Sequence, residues 1–242
     1  MRAAIEAMYT RVARPYDWLS NTLYLGQWRP WQRSAIGFLR GSRILELGMG
    51  TGNLQIDLAK AGFSACGIDF SRSMLRQARR KTEELHMARP RICQARAQSL
   101  PFPDASFDSI VSTFGTDYIE DRLTYQEVAR VLRPGGRIVL VPGSGLLPGE
   151  RARALRKLAR SVATLGFRGK TNGKLSGEEE LHIEPLQGEL GPAGVWVEAI
   201  MRAMPADVFT ISTYAAYNQR GLAVIIVGDK AGGPVGDESS TR

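Results

Sequence analysis

Glu46, Gly48, Gly50, Gly52 and Asp69 have the types and the spacing to hold a nucleotide. The glycines punctuate the run Ile44-Leu45-Glu46-Leu47-Gly48-Met49-Gly50-Thr51-Gly52-Asn53. At alternate positions they let the backbone turn sharply and approach a ligand that any Cβ would push away. A helix starting near Asn53 would offer the unpaired N–H groups of its first turn to the same ligand. Gly67-Ile68-Asp69-Phe70-Ser71 follows. Its acid lies roughly 20 residues past the turn, where a ribose-binding carboxylate belongs in a βαβ unit. A tight strand–helix connection needs glycine whether or not anything binds. The acids before and after the turn are what point to a ligand.

The spacing also separates two cofactors. A dinucleotide fingerprint requires Gly or Ala directly after Gly52, for close packing of helix on strand. This chain has Asn53 there. A nicotinamide dehydrogenase is therefore disfavoured.

The elements that must position these residues alternate. Strands are expected near 43–47, 64–69, 91–95, 107–113 and 136–141, with helices near 53–61, 72–86 and 120–132. Such alternation argues a parallel sheet with helices on both faces. Val208 to Tyr214 and Leu222 to Val227 are also strand-like, joined only through Asn218 to Gly221. So short a link cannot hold a crossover helix, so these two strands should be antiparallel.

Three further segments fall in order. Leu100-Pro101-Phe102-Pro103-Asp104 leads into the strand at Phe107-Asp108, and Leu132-Arg133-Pro134-Gly135-Gly136 ends a helix. Ahead of the fold stands Val12-Ala13-Arg14-Pro15-Tyr16-Asp17. With the glycine run and Gly67-Ile68-Asp69, these motifs resemble the class I S-adenosylmethionine-dependent methyltransferases. The likeness spans roughly residues 9–142. It is greatest to the branch of menaquinone/ubiquinone C-methyltransferases and bacterial phospholipid N-methyltransferases.

The resemblance implies a Rossmann-like α/β fold, a mostly parallel seven-stranded sheet closed by a C-terminal antiparallel hairpin. It implies one domain over 1–230, with a helical lid at 1–40 and a variable insertion or substrate cap at 143–205; the small, polar residues of 231–242 read from composition as a disordered tail. The implied cofactor is S-adenosyl-L-methionine. Glu46 and the Gly48-Met49-Gly50-Thr51-Gly52 backbone would border its methionine part, and Asp69 would take the ribose hydroxyls. Phe70 and Met74 would flank adenine, with Ala97 and Gln98 as its polar partners. Thr113 would approach the amino-acid end, and Tyr9 and Tyr16 in the lid would face the site. Tyr16 and Asp117 are the candidate catalytic residues. Asp117 fits a base, a partner for a cationic amine, or a plain helix cap.

Two positions depart from the family pattern. Arg96 stands where an Asp usually accepts from the adenine amine, and a guanidinium has only donors. Phe114-Gly115-Thr116-Asp117-Tyr118 lacks the Arg that the quinone enzymes carry after the fourth strand.

Composition sets outer bounds. The 242 residues are 43% hydrophobic, ample for one well-packed domain. No stretch reaches the ~20 apolar residues of a spanning helix, and the charged N-terminus does not read as a signal peptide. A cytoplasmic protein, with peripheral membrane contact as an option, is expected. Cys66 and Cys93 read as buried thiols, and His86 and His182 as surface residues without a partner at metal spacing. The net charge of +8 suggests an anionic partner. Leu155, Leu158, Val162 and Leu165 form one helical stripe, beside Arg151, Arg153, Arg156, Lys157 and Arg160. A helix at 151–165 thus fits either an anionic membrane or packing on its own domain; nucleic acid is not the expected partner. The expected activity is methylation of a small hydrophobic or lipid-like acceptor, a quinone precursor or a phospholipid amine. A non-catalytic methyltransferase-like module is the alternative.

Overall fold

The computed structural model describes residues 16–87, 91–146, 181–186 and 192–232. The basic stretch 151–165, most of the 143–205 segment, Tyr9 and the 233–242 tail lie outside the described residues. Among the described residues, two helices lead in, α1 (Tyr16–Leu23) and α2 (Trp28–Ser34), before β1 (Arg43–Leu47). Alternation follows: α3 (Asn53–Lys60), β2 (Ser64–Asp69), α4 (Arg72–Glu84), β3 (Arg91–Gln94), β4 (Phe107–Thr113), α5 (Arg122–Val131) and β5 (Leu132–Val141). Then come β6 (Ser144–Leu146), β7 (His182–Pro185), α6 (Pro192–Ala203), β8 (Phe209–Asn218) and β9 (Gly221–Lys230).

The strands form one sheet in the order β3-β2-β1-β4-β5-β9-β8-β7, with β6 paired beside β9. From β3 to β5 every pairing is parallel. Those of β9, β8, β7 and β6 are antiparallel. Side chains of one strand alternate between faces. Leu45, Ile110, Ile138 and Leu140 accordingly pack on one face with Val128 of α5 and Ile200 of α6. Ile44, Val111, Val139 and Val141 pack on the other with Trp31 of α2 and Leu54 and Leu58 of α3. Every residue of β4 is buried. Covered on both sides, it has no room for a solvent-facing stripe, which is why its sequence does not alternate with charge.

Three sequence expectations are corrected. Among the described residues the sheet has nine strands rather than seven. The extra pair, β6 and β7, is short, and all four residues of β7 are exposed, so neither carries an apolar pattern. Next, β5 begins at Leu132 rather than 136, because Leu132 already pairs with Phe107. A register shift absorbs Pro134 and its glycines before Arg137 pairs with Ser109. Finally, the helix expected from 120 starts at Arg122 after a 3-10 turn, Asp117–Glu120. The hairpin is antiparallel as expected and longer, with Asn218 Oδ1 accepting from the N–H groups of Arg220 (2.9 Å) and Gly221 (3.2 Å) across its turn. Among the described residues, no helix is long and apolar enough to cross a membrane.

Candidate functional site

The sheet order reverses between β1 and β4, and in open α/β sheets ligands bind at the carboxyl ends of the strands at such a point. A cavity of about 380 Å³ lies there. Its wall includes Gly48 to Thr51 and Asn53 after β1, Ile68 to Ser71 and Met74 after β2, and Ala95 to Gln98 after β3. Thr113 to Tyr118 and Asp121 follow β4, and Trp28 and Gln32 reach in from α2. Of the residues expected at the site, Gly48, Met49, Gly50, Asp69, Phe70, Met74, Ala97, Gln98, Thr113 and Asp117 line this one cavity.

Asp69 ends β2 with each carboxylate oxygen on a backbone N–H: Oδ2 accepts from Gly50 (2.8 Å) and Oδ1 from Ser71 (2.7 Å). Burial raises its pKa, opposed by those two N–H donors. Both oxygens keep further acceptor capacity toward the cavity. Gly50 has φ +54° and nothing within 4 Å of where a Cβ would stand. That opening in the cavity wall is a cradle which a side chain would fill.

At the β2–β3 side, Phe70 is 40% exposed and the Arg96 guanidinium lies 4.4 Å over its ring. Arg96 therefore makes a cation–π contact where an acceptor is usual. Gln98 Nε2 donates to Asp121 Oδ2 at 3.1 Å, and Asp121 Oδ1 caps α5 by accepting from Leu123 N–H at 3.0 Å. The cap of that helix is thus Asp121 and not Asp117, which stays exposed on the cavity rim.

At the β4 side, Gln32 Nε2 donates to Thr113 Oγ1 at 3.2 Å. Trp28 stacks on Phe114 with ring centroids 3.8 Å apart at 19°. Phe114 takes φ +54°, a conformation that bulky residues rarely adopt, and its N–H donates to Val141 O at 2.7 Å. Tyr118 Oη donates to Leu47 O (3.1 Å) and accepts from Ser112 Oγ (2.8 Å), tying this loop to β1.

Two members of the signature lie elsewhere. Glu46 is 2% exposed, does not line the cavity, and accepts from Gln55 Nε2 at 2.8 Å. Two residues along from Ile44, its side chain lies on the sheet face that α3 covers, so it braces α3 against β1. Gly52 also stays out of the cavity wall: it caps α3 at φ +79°, and a Cβ there would stand 2.9 Å from Ala78 Cβ of α4. Its bareness serves helix packing. Tyr16 begins α1, and its side chain lies outside the description.

A clamp holds α1 to the glycine turn. Asp17 Oδ1 accepts from Thr51 Oγ1 (2.6 Å) and Asn53 Nδ2 (2.9 Å), and its Oδ2 accepts from Lys81 Nζ (2.5 Å). Lys81 Nζ also donates to Asn53 Oδ1 at 2.7 Å and Thr51 Oγ1 at 3.0 Å. Sequence reading singled out Asp17 only as part of a motif and missed Lys81, one cation in a basic helix, together with Gln32. Cys66 and Cys93 are half-buried rather than buried, and free. Burial, with Cys93 nearby, pushes the Cys66 thiol up to about 11, so it is not a poised nucleophile. His86 and His182 are exposed, as expected, and no His, Cys, Asp or Glu group among the described residues could hold a metal ion.

Comparison with known proteins decides the family. A methyltransferase-domain model matches residues 44–136. A demethylmenaquinone methyltransferase of Mycobacterium sp. (strain KMS) is 36% identical over 174 residues, covering 66% of this chain and 72% of the relative. The chain belongs to the class I S-adenosylmethionine-dependent methyltransferases. Within them it falls in the menaquinone/ubiquinone branch: a ubiquinone/menaquinone biosynthesis C-methyltransferase UbiE of Geobacter sulfurreducens is 34% identical over 145 residues, 57% of each chain. The fold agrees with a solved S-adenosyl-L-methionine-dependent methyltransferase of Methanococcus maripaludis, at TM-score 0.58 and 18% identity over 93% of this chain and 95% of that one. This methyltransferase uses S-adenosylmethionine. The opening over Gly50, with a carboxylate at one end of the cavity and an amide–hydroxyl pair at the other, fits such a ligand.

Proposed function

We propose that this methyltransferase acts on a small, apolar ring acceptor of the demethylated quinol type. The observation that carries this reading is the aromatic wall at the β4 side, where Trp28 stacks on Phe114 beside Thr113. Relatives named for demethylmenaquinone methylation support it. The bound cofactor supplies an electrophilic methyl on a sulfonium, whose sulfur keeps the electron pair when the acceptor carbon bonds to the methyl.

The chain's own residues orient the partners and exclude water. Asp69 takes the ribose hydroxyls, the backbone at Gly48 to Gly50 borders the sugar–sulfur segment, and Phe70 and Met74 flank adenine. Ala97 and Gln98 edge the base, with Gln98 oriented by Asp121. Trp28 and Phe114 present an apolar face to the acceptor, so nucleophile and methyl meet in line in a dry space. Asp117, on the rim where quinone enzymes carry an Arg, takes the proton that the acceptor loses. The Arg151 to Arg160 cluster would bring the enzyme to an anionic bilayer in which such acceptors dissolve.

The test is product analysis with a deuterated methyl donor against demethylmenaquinol, a phenolic acceptor without a prenyl tail, and phosphatidylethanolamine. Label on a ring carbon of the quinol is expected, and Asp117→Asn should lower kcat more than it raises KM. Label only on phosphatidylethanolamine would move the assignment to a cationic amine held by Asp117. S-adenosylhomocysteine release with none of them would overturn the acceptor class.

A further inference from the structure

Six buried side-chain polar atoms among the described residues have no hydrogen-bond partner: Arg29 Nη1, Trp31 Nε1, Gln32 Oε1, Asp57 Oδ2, Thr124 Oγ1 and Ser144 Oγ. Only Gln32 belongs to the cavity wall. Its side chain is 8% exposed, and its Nε2 is engaged by Thr113 Oγ1 at 3.2 Å. A buried amide oxygen left unpaired costs free energy that no other contact of this residue returns. The cavity is where its partner must come from.

The partner's place follows from the sheet. Asp69 ends β2 on one side of β1, and Thr113 ends β4 on the other. A nucleoside whose ribose rests on Asp69 extends its remaining arm across the end of β1 toward Thr113 and Gln32. In S-adenosylmethionine that arm is the amino acid, and its α-ammonium is a charged N–H donor. We propose that Gln32 binds this amino-acid end, Oε1 accepting from the α-ammonium while Thr113 holds the amide in register. The assignment rests on the cofactor placement proposed above. It also gives α2, which precedes the first strand, a direct part in cofactor binding. Helix α2 is fixed for that part by Arg29 on Asp57 of α3 (2.8 Å) and by the Trp28–Phe114 stack.

Calorimetry with two ligands tests it. S-adenosylhomocysteine carries the amino acid, and 5′-methylthioadenosine lacks it. Hydrogen bonds to charged groups imply that Gln32→Met weakens S-adenosylhomocysteine about tenfold or more and leaves methylthioadenosine within about twofold. Equal weakening of both would mean that Gln32 only supports the wall, and would overturn the proposal. So would unchanged S-adenosylhomocysteine affinity with a raised KM for the acceptor. Gln32→Glu keeps an acceptor oxygen and should hold S-adenosylhomocysteine as tightly as the wild type. Selective loss in that variant would overturn the ammonium contact even if Gln32→Met does not fold. Wild-type protein that binds neither ligand would instead reject the cofactor placement.

Discussion

Glu46 shows how one residue type serves an unexpected purpose. Burial, partly offset by the Gln55 amide, pushes its carboxyl up to about 8 from an ordinary 4.5. Because the folded value is the higher one, the unfolded chain loses this proton first. The stability held below pH 4.5 is therefore lost as pH rises toward 8. The loss is at most about 1.4 kcal/mol per pH unit in that window. Glu46→Gln should remove this slope, so its melting temperature should gain on the wild type between pH 5 and pH 8 (~5–8, within the window). Parallel pH profiles would contradict the account. The glycines divide in the same way. Gly52→Ala forces a Cβ against Ala78 at positive φ and should cost about 1–3 kcal/mol in denaturant unfolding. Gly50→Val meets open space, so its damage should appear as lost cofactor affinity in calorimetry, well beyond its backbone strain of about 1–2 kcal/mol. The sequence signature presents Glu46, Gly50 and Gly52 as equals. Which of them faces the cavity depends on α3 and α4 packing from outside, which no local pattern records.

At the scale of elements, the clamp of Asp17, Thr51, Asn53 and Lys81 joins the entry helix to the glycine turn. Burial lowers the Lys81 pKa, and Asp17 opposes that shift. Asp17→Ala removes the acid and strands the ammonium among polar neighbours, so it should destabilise by about 1–3 kcal/mol. Adding Lys81→Met should recover part of that loss, a non-additivity that denaturant melts of the four-member cycle would measure. Strict additivity would mean the pair does not act as a unit. The central strands were legible because β1, β4 and β5 are apolar runs between clear turn residues. The short β6 and β7 were not, since their pairing is set by the long strands β9 and β8 beside them rather than by their own residues. The cavity's β4 wall was half legible. Thr113 could be placed by family likeness, but Gln32 arrives from a helix 81 residues away in sequence, a contact that only the tertiary fold creates.

The whole molecule carries a net charge of +8 on a fold with its ligand crevice at one end of the sheet. With the five basic residues from Arg151 to Arg160, attraction to anionic bilayers should reach about 1 kcal/mol per residue near the surface, screened over ~8 Å at physiological salt. Co-sedimentation with phosphatidylserine vesicles is expected at low salt and should vanish at a few hundred millimolar. Equal binding to neutral vesicles, or none to either, would contradict it. One crevice, ended by Asp69 and Thr113, should hold one S-adenosylmethionine. Titration calorimetry of wild-type and Asp69→Ala protein with S-adenosylmethionine, with NAD as control, tests it most directly. A single site per chain is expected, with no heat from NAD. The folded variant should bind about tenfold more weakly or worse, because a carboxylate accepting ribose hydroxyls makes charge-assisted bonds of roughly 1.5–3 kcal/mol each. Unchanged affinity in folded Asp69→Ala protein would contradict the account.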